Sequence, residues 1–296
     1  MPSLPEPKEN PLFLEKLDLD HFELASLPDW VFQRTGLKTL NLYANRLTSL
    51  PAAIGQLTHL HTLNLAENHL SVLPEQIGNL IQLQMLDLGH NELSELPDSM
   101  GNLSSLTFLY LSFNHLTELP ASFGNLSSLI YLNITDNRLS ALPDWIGSLT
   151  NLIELRLYNN QLSYLPEMLG KLVKLRELHV MNNKLTSLPG SIGKLSSLRK
   201  FGLQGNLLDS LPDSLGDLTN LTDLDLRDNR LADLPDSLGK LKNLRYLDLR
   251  ANRLVVLPDR LAELTHLEKL DLRWNNISSF PAWIQELEQR GCTVFV

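Results

Sequence analysis

A period of 23 residues runs through almost the whole chain and restricts its fold more than any other feature of the sequence. The pattern L-x-x-L-x-L-x-x-N-x-L-x-x-L-P first begins at Leu14 and last begins at Leu267, which gives twelve copies without an insertion or a deletion. A fixed period of this length is typical of a solenoid, in which each copy packs on its neighbours and stacking buries a continuous core. We therefore predict a single elongated repeat domain over residues 14–291.

Each conserved position of the repeat has a physical reason. Leucines at alternating positions predict a short strand, because successive side chains of a strand point to opposite faces. Proline interrupts the strand, and apolar residues at a spacing of three, such as Ile54, Leu57 and Leu60, predict a helical turn or a loop on the other side of the copy. The predicted fold class is α/β: about twelve parallel strands, with loops and short helical turns opposite them.

Asparagine and glycine also recur at fixed positions in most copies of the repeat. Asparagine stands just before an inward leucine from Asn45 to Asn275, and we expect its carboxamide to pair with backbone groups that the turn after the strand leaves unpaired. Glycine recurs from Gly55 to Gly239, where we expect the backbone to bend tightly or to pack closely on its neighbour. Both series are interpreted as scaffold and not as ligands.

These residues resemble the leucine-rich repeat family, whose pattern has the same spacing of leucines and asparagine. Within the family, the 23-residue length and the second half LP…IG.L..L resemble the intracellular type found in Ras-pathway scaffolds, plant Ras-group-related proteins, cell-polarity scaffolds and many bacterial proteins. The resemblance implies a right-handed solenoid that forms an arc, with the parallel sheet on its concave face. It also implies the same structural role for the asparagines and a function in protein recognition.

The N-terminal end departs from the pattern, as the ends of a solenoid must because they expose its core. Residues 1–13 contain four prolines and predict a stiff, extended tail. The first copy has Phe22, Phe32 and Arg34 at positions that elsewhere hold asparagine, glycine and leucine. These replacements indicate an N-terminal cap.

The C-terminal end departs in a different way. The segment PAWIQELEQRG predicts a helix of two turns that Gly291 ends. Residues 292–296 predict a closing strand in which Cys292, Val294 and Val296 point inward. Cys292 is then a buried apolar residue, the preferred interpretation over a reactive thiol.

Composition excludes several classes of function. A formal net charge of −9 argues against nucleic acid as a partner, because binding to phosphates requires clustered lysine and arginine. A single cysteine allows neither an intramolecular disulfide nor a multi-cysteine metal site and favours a reducing compartment. No run approaches the length of a membrane span or of a signal-peptide core. We expect a soluble, cytoplasmic monomer; the alternative location is the host cytosol, reached by a secreted bacterial effector.

The positions that the repeat leaves free hold the candidate binding site. Aromatic residues and methionine are concentrated in copies four to seven, chiefly on concave strand positions, and together they exceed the apolar area that a monomer normally exposes. We predict that these copies form the centre of a protein-binding surface, which Arg156, Tyr158, His179 and Met181 extend. The predicted protein-binding residues are Met85, Phe108, Tyr110, Phe113, Tyr131, Arg156, Tyr158, His179 and Met181. The alternative interpretation is that the aromatic side chains only pack on each other and stabilise neighbouring strands.

Copies ten to twelve hold two charged rows. Asp225, Asp248 and Asp271 stand two positions before Arg227, Arg250 and Arg273, and we expect the two rows to neutralise each other. A polar anchor for a charged partner segment is the alternative.

The sequence contains no motif that indicates a catalytic activity or a bound cofactor. No phosphate-binding loop, nucleophile elbow or paired-carboxylate motif appears outside the repeat, so no catalytic, cofactor-binding or metal-binding residue is predicted. Histidines 69, 90 and 115 occupy different columns, which makes their convergence on a metal unfavourable. The predicted function is a scaffold, adaptor or substrate-recognition module for a protein partner. The alternatives are the recognition part of a larger enzyme, such as a bacterial effector ubiquitin ligase or a kinase, and a repeat array without a partner.

Overall fold

A computed structural model describes residues 14–296 of the chain. The chain divides into two compact units, one ending at Arg138 and the other covering Leu139–Val296. The proline-rich tail predicted for residues 1–13 lies outside the described residues.

The described part of the first unit contains six short strands that follow one another in chain order. They are Lys16–Asp18 (β1), Thr39–Asn41 (β2), Thr62–Asn64 (β3), Met85–Asp87 (β4), Phe108–Tyr110 (β5) and Tyr131–Asn133 (β6). Each strand pairs in parallel with the next, and each residue lies opposite the residue 23 positions later, as Phe108 lies opposite Tyr131. The 23-residue period of the sequence is thus the register of the sheet.

The second unit repeats this arrangement and ends with a helix and a last strand. Its strands are Glu154–Arg156 (β7), Glu177–His179 (β8), Lys200–Gly202 (β9), Asp223–Asp225 (β10), Tyr246–Asp248 (β11), Lys269–Asp271 (β12) and Thr293–Phe295 (β13), all parallel to their neighbours in the unit. The helix Trp283–Gln289 (α1) stands between β12 and β13. The predicted fold class, an α/β solenoid with a parallel sheet, is confirmed.

The segments opposite the strands are short 3-10 helices that begin just after the conserved prolines. In the first unit they are Asp29–Val31, Ala52–Gln56, Glu75–Asn79, Asp98–Asn102 and Ala121–Asn125. In the second unit they are Asp144–Ser148, Glu167–Lys171, Gly190–Lys194, Asp213–Asp217, Asp236–Lys240 and Asp259–Glu263. Glycine lets these helices pack closely, because a Cβ added at Gly55 would lie only 2.8 Å from the carbonyl oxygen of Gln76 in the next copy.

Leucine and asparagine build the core together. The central residue of each strand from β2 to β12 is at most 1% exposed. Behind the strands, the Asn68 Oδ1 accepts a hydrogen bond from the Leu47 N–H at 3.0 Å, and its Nδ2 donates to the Leu42 carbonyl at 2.9 Å and the Leu65 carbonyl at 3.1 Å. Each unit repeats this pattern, which confirms the predicted role of the asparagines.

The C-terminal end agrees with the sequence in part. Helix α1 forms, with Trp283 and Leu287 buried, and Cys292 is buried as predicted. Burial raises the pKa of Cys292 to about 11, so the thiol stays protonated at neutral pH. The inward orientation predicted for Val296 is wrong: the strand ends at Phe295, and Val296 is 63% exposed.

The N-terminal cap is built from two of its three unusual residues. Phe32 and Arg34 are buried, and the Arg34 guanidinium lies 5.7 Å from the centre of the Trp30 ring. Phe22, by contrast, is 51% exposed.

Candidate functional site

An aromatic column lies on the outward positions of three consecutive strands in the first unit. The sheet register places Met85, Phe108 and Tyr131 side by side on β4, β5 and β6. Leucines at the strand centres point to the core, so these three side chains must point to the opposite face. Phe108 is 40% exposed, whereas Met85 and Tyr131 are half-buried.

The two rings of this column contact each other, and Tyr110, at the end of β5, also contacts Tyr131. The ring centres of Phe108 and Tyr131 are 6.4 Å apart, and those of Tyr110 and Tyr131 are 5.0 Å apart with their planes tilted by 40°. Such distances are favourable for aromatic pairs and stabilise neighbouring strands. Packing between the rings therefore occurs, yet it leaves Phe108 substantially exposed. We call Met85, Phe108, Tyr110 and Tyr131 the aromatic patch.

Phe113 lies in the turn after β5, outside the aromatic patch. It follows β5 by three residues, is 47% exposed, and its ring stacks on His90 with ring centres 4.1 Å apart and planes inclined by 14°. Its backbone φ of +53° lies in the left-handed region, which a bulky residue rarely adopts. The pair Phe113 and His90 thus forms a second exposed aromatic surface.

The sequence-predicted residues of the second unit form a polar cluster. Arg156 lies opposite His179 in the sheet, and the Arg156 Nε is 2.5 Å from the Glu154 Oε1. His179 Nε2 is 3.1 Å from Glu177 Oε2, and Lys200 Nζ is 3.0 Å from Glu177 Oε1. Burial acts to raise the pKa of Glu177, but hydrogen bonds from Lys200 and His179 outweigh it and lower that pKa.

The same cluster brings three possible metal ligands together. One ligand atom each from Glu154, Glu177 and His179 lies within 4.8 Å of the others. Both carboxylates are already paired with a cation, Arg156 or Lys200, and these charges would repel a divalent ion. The cluster is therefore better explained as an ion-pair network on the sheet.

Tyr158 and Met181 follow β7 and β8 by two residues each and are both half-buried. Met181 leans over the neighbouring copy, because a Cβ added at Gly202 would lie 2.6 Å from the Met181 Sδ. A cavity of about 300 Å³ opens beside it, lined by His179, Met181, Lys200, Phe201, Gly202, Asp223, Leu224, Asp225, Tyr246, Leu247, Asp248 and Lys269. Only His179 and Met181 belong to the predicted site. In the sequence, the cavity is indicated only by Gly202, the one glycine at a strand position where the other copies carry a side chain.

The charged rows of the second unit neutralise each other, as expected. Arg250 is 2.6 Å from the Asp248 carboxylate and 3.4 Å from that of Asp271, and Arg273 is 2.7 Å from Asp271. Arg227 is 3.3 Å from Asp225. These pairs explain how three acidic residues can stand on adjacent strands.

Within residues 14–296, every helix is too short or too polar to traverse a lipid bilayer.

Comparisons with known proteins agree with the repeat architecture. A family model described as a leucine-rich repeat region matches residues 74–188 and 182–289, and a second, described as leucine rich repeat, matches residues 14–70. A comparison with curated proteins gives no match.

Solved structures of the same architecture include bacterial and plant proteins. A leucine-rich repeat protein of Leptospira interrogans is 36% identical, with a TM-score of 0.89 over 96% of this chain and 72% of that one. The leucine-rich repeat ectodomain of the Arabidopsis thaliana membrane receptor kinase GASSHO1/SCHENGEN3, solved with CASPARIAN STRIP INTEGRITY FACTOR 2, is 30% identical, with a TM-score of 0.75 over 95% of this chain and 38% of that one.

An internalin of Listeria monocytogenes, 24% identical, shares the fold with a TM-score of 0.84 over 95% of this chain and 80% of that one. The family models together cover most of the chain, including every strand from β1 to β12. The chain belongs to the leucine-rich repeat family.

Proposed function

We propose that this chain is a non-catalytic recognition module that binds a protein partner on the outward face of its sheet, centred on the aromatic patch. One observation carries the proposal: Phe108 remains 40% exposed although aromatic neighbours contact it. Large aromatic side chains on a surface are typical of the centre of a protein interface, where they supply contact area and ring contacts.

The backbone at Phe113 supports the same proposal. In the first unit the equivalent positions of other copies hold His21, Ala44, Glu67, His90 and Asp136, all with positive φ. Apart from its stacking on His90, the exposed Phe113 gains little from burial, and it adopts a conformation that favours small or polar residues. A role in contacting a partner gives a reason for its presence that stability alone does not.

Relatives with bound ligands give further support. The GASSHO1/SCHENGEN3 ectodomain was solved with CASPARIAN STRIP INTEGRITY FACTOR 2, and a plant peptide hormone receptor, RGFR1, 29% identical, was solved with RGF2. We infer that this chain likewise presents a preformed surface, which limits the entropy lost on docking. We place Arg156, Tyr158, His179 and Met181 of the second unit in the same function.

A scaffold, adaptor or substrate-recognition role in the cytoplasm fits a chain with one buried, reduced cysteine. The first alternative is the recognition part of a larger enzyme, which would be favoured if the natural gene continues past Val296 with a catalytic domain. The second alternative is an array in which the aromatic rings serve only to join strands.

The proposal is tested by the triple substitution Phe108→Ser, Tyr110→Ser and Tyr131→Ser. The three side chains point away from the leucine core, so we expect the circular dichroism spectrum and the solubility to stay those of the parent protein. Affinity capture from cells of the source organism, read by quantitative mass spectrometry, should lose the proteins that the parent retains. The loss should be at least tenfold, because truncating a hot-spot aromatic at the centre of an interface costs about 2 kcal/mol or more.

A matched control removes exposed apolar side chains outside the strands of the same unit. Val72 and Ile81 are 48% and 53% exposed, and the double variant Val72→Ser, Ile81→Ser should retain the captured proteins. The proposal is wrong if the triple variant captures the same proteins as well as the parent does.

A further inference from the structure

The cavity at Gly202 is a local gap in the side chains that cover the sheet of the second unit. Strand β9 ends at Gly202, while the residues opposite it on β8 and β10 are His179 and Asp225. A glycine between two larger residues leaves room above the backbone. The result is an opening of about 300 Å³, at the lower end of the range for ligand pockets.

Two walls of the cavity are apolar and adaptable. Met181 lies against Gly202 on one side, and Tyr246, 44% exposed, stands on the other side. Methionine adjusts its shape easily, and a tyrosine ring attracts cations to its face. The space between them suits a long side chain with an apolar stem.

One acidic group at the cavity, Asp223, has no basic ion-pair partner in the described part of the chain, whereas Asp248 is paired with Arg250 at 2.6 Å. Asp223 accepts a hydrogen bond from Thr222 Oγ1 at 2.6 Å, and no basic side chain among residues 14–296 forms an ion pair with it. Asp225 is 3.3 Å from Arg227, whose guanidinium also donates to Gln204. Burial raises the pKa of Asp225 despite this pair, which means that its charge is incompletely compensated.

The two lysines at the cavity are engaged elsewhere. Lys200 is bound to Glu177 at 3.0 Å, and the Lys269 ammonium lies 5.4 Å from the centre of the Phe295 ring. A negatively charged ligand would have to compete with Glu177 and would approach Asp223 and Asp225. A positively charged group can approach both carboxylates, although Lys200, which lies opposite Asp223 in the sheet, interacts electrostatically with Asp223 as well as with Glu177.

We propose that this cavity receives one arginine or lysine side chain of the bound partner, with its cation at Asp223 and Asp225 and its stem between Met181 and Tyr246. This inference rests on the proposed role of the sheet face in partner binding and adds the chemistry that the partner must offer. The absence of a side chain at Gly202, where the equivalent residues of the other copies carry one, would then determine which partners fit.

The test uses a small probe and does not require the natural partner. The full chain, labelled with ¹³C at the methionine methyl groups, is titrated with N-acetyl-argininamide and, separately, with the neutral isostere N-acetyl-citrullinamide. We expect the Met181 methyl resonance to shift with a dissociation constant on the order of 1 mM for the arginine probe. The Met85 resonance, on the aromatic patch, should stay in place. The citrulline probe should bind at least tenfold more weakly.

A charge-matched pair of variants completes the test. Asp223→Asn should weaken the arginine probe about tenfold, because a charge-assisted contact is lost, whereas Asp233→Asn, at an exposed position outside the cavity, should not change it. Equal binding of both probes, no shift of Met181, or unchanged affinity in Asp223→Asn would each overturn the proposal. Because the probe bypasses the aromatic patch, these results are independent of whether the triple serine variant loses captured proteins.

Discussion

At the scale of single residues, one asparagine in each copy from the second onward joins that copy to the preceding one. Asn114 donates from Nδ2 to the carbonyls of Leu88 at 2.9 Å and Leu111 at 3.2 Å, and its Oδ1 accepts from the Leu93 N–H at 3.0 Å. These backbone groups are buried where neither strand nor 3-10 helix provides a partner. The side chain therefore replaces a backbone hydrogen-bond partner in the core.

Replacing Asn114 by alanine should lower the free energy of unfolding by roughly 2–4 kcal/mol, because several buried polar groups lose their partner at once. Urea denaturation followed by circular dichroism measures the change. Asn102 is exposed and its side chain lies outside this series, so Asn102→Ala should change the free energy of unfolding by less than about 0.5 kcal/mol. Equal effects of the two substitutions would contradict the structural role of Asn114.

The asparagine role could be predicted from sequence because the residue is constant in every copy from the second onward. The left-handed residue just before it could not, because that position varies from Ala44 to Phe113 and Trp274 and lacks the expected glycine signal. Hydrogen bonds to the next copy support this conformation, as when the Phe113 N–H donates to the Thr135 carbonyl at 2.9 Å. Such contacts between copies override local preference.

At the scale of elements, strands β11 and β12 carry an ion-pair network that depends on their register. Asp271 is fully buried, between Arg250 at 3.4 Å and Arg273 at 2.7 Å. Burial acts to raise the pKa of Asp271, but hydrogen bonds from Arg273 and the charge of Arg250 outweigh it and lower that pKa below its usual value. The ionised carboxylate is thus favoured in the folded state.

The lowered pKa of Asp271 predicts a pH-dependent contribution to stability. A carboxylate whose folded pKa lies below its unfolded value, about 3.9, stabilises the fold above that value, and the contribution disappears as the pH falls through the folded pKa. Asp271→Asn should therefore lower the free energy of unfolding by roughly 1.5–3 kcal/mol at pH 7, and the difference from the parent should shrink below about pH 4.

Urea denaturation of both proteins from pH 7 to pH 3 measures this difference, with Asp209→Asn, at an exposed position, as the control of equal charge. A cost that is the same at every pH would show that packing, rather than the ion pair, accounts for the effect.

Most elements follow from the sequence because the repeat fixes both their order and their register. The strands begin and end where leucine alternation predicts, and the 3-10 helices follow the prolines. The sequence left open whether these segments are helical turns or loops, because five residues are too few for a periodic signal. The orientation of Val296 could not be obtained from alternation, since the strand ends one residue earlier.

At the scale of the whole molecule, the repeat determines the architecture, and we propose that the variable outward positions determine which partner binds. Sequence columns place Phe108 beside Tyr131, but only the structure shows that ring contacts leave Phe108 exposed and that Arg156 and His179 are held by neighbouring glutamates. The cavity at Gly202 exists because a side chain is missing there. Aromatic and charged residues stand out in a sequence, whereas a single glycine does not by itself indicate a cavity.

The most direct test of the central claim, partner binding at the aromatic patch, is site-specific photo-cross-linking. A benzophenone amino acid replaces Phe108 on the sheet in one protein and Ile81, 53% exposed outside the strands, in another. After irradiation in a lysate of the source organism, we predict a discrete protein adduct from position 108 only, displaced by excess parent protein but not by the triple serine variant. Identical adducts from both positions, or none from position 108, would contradict the account.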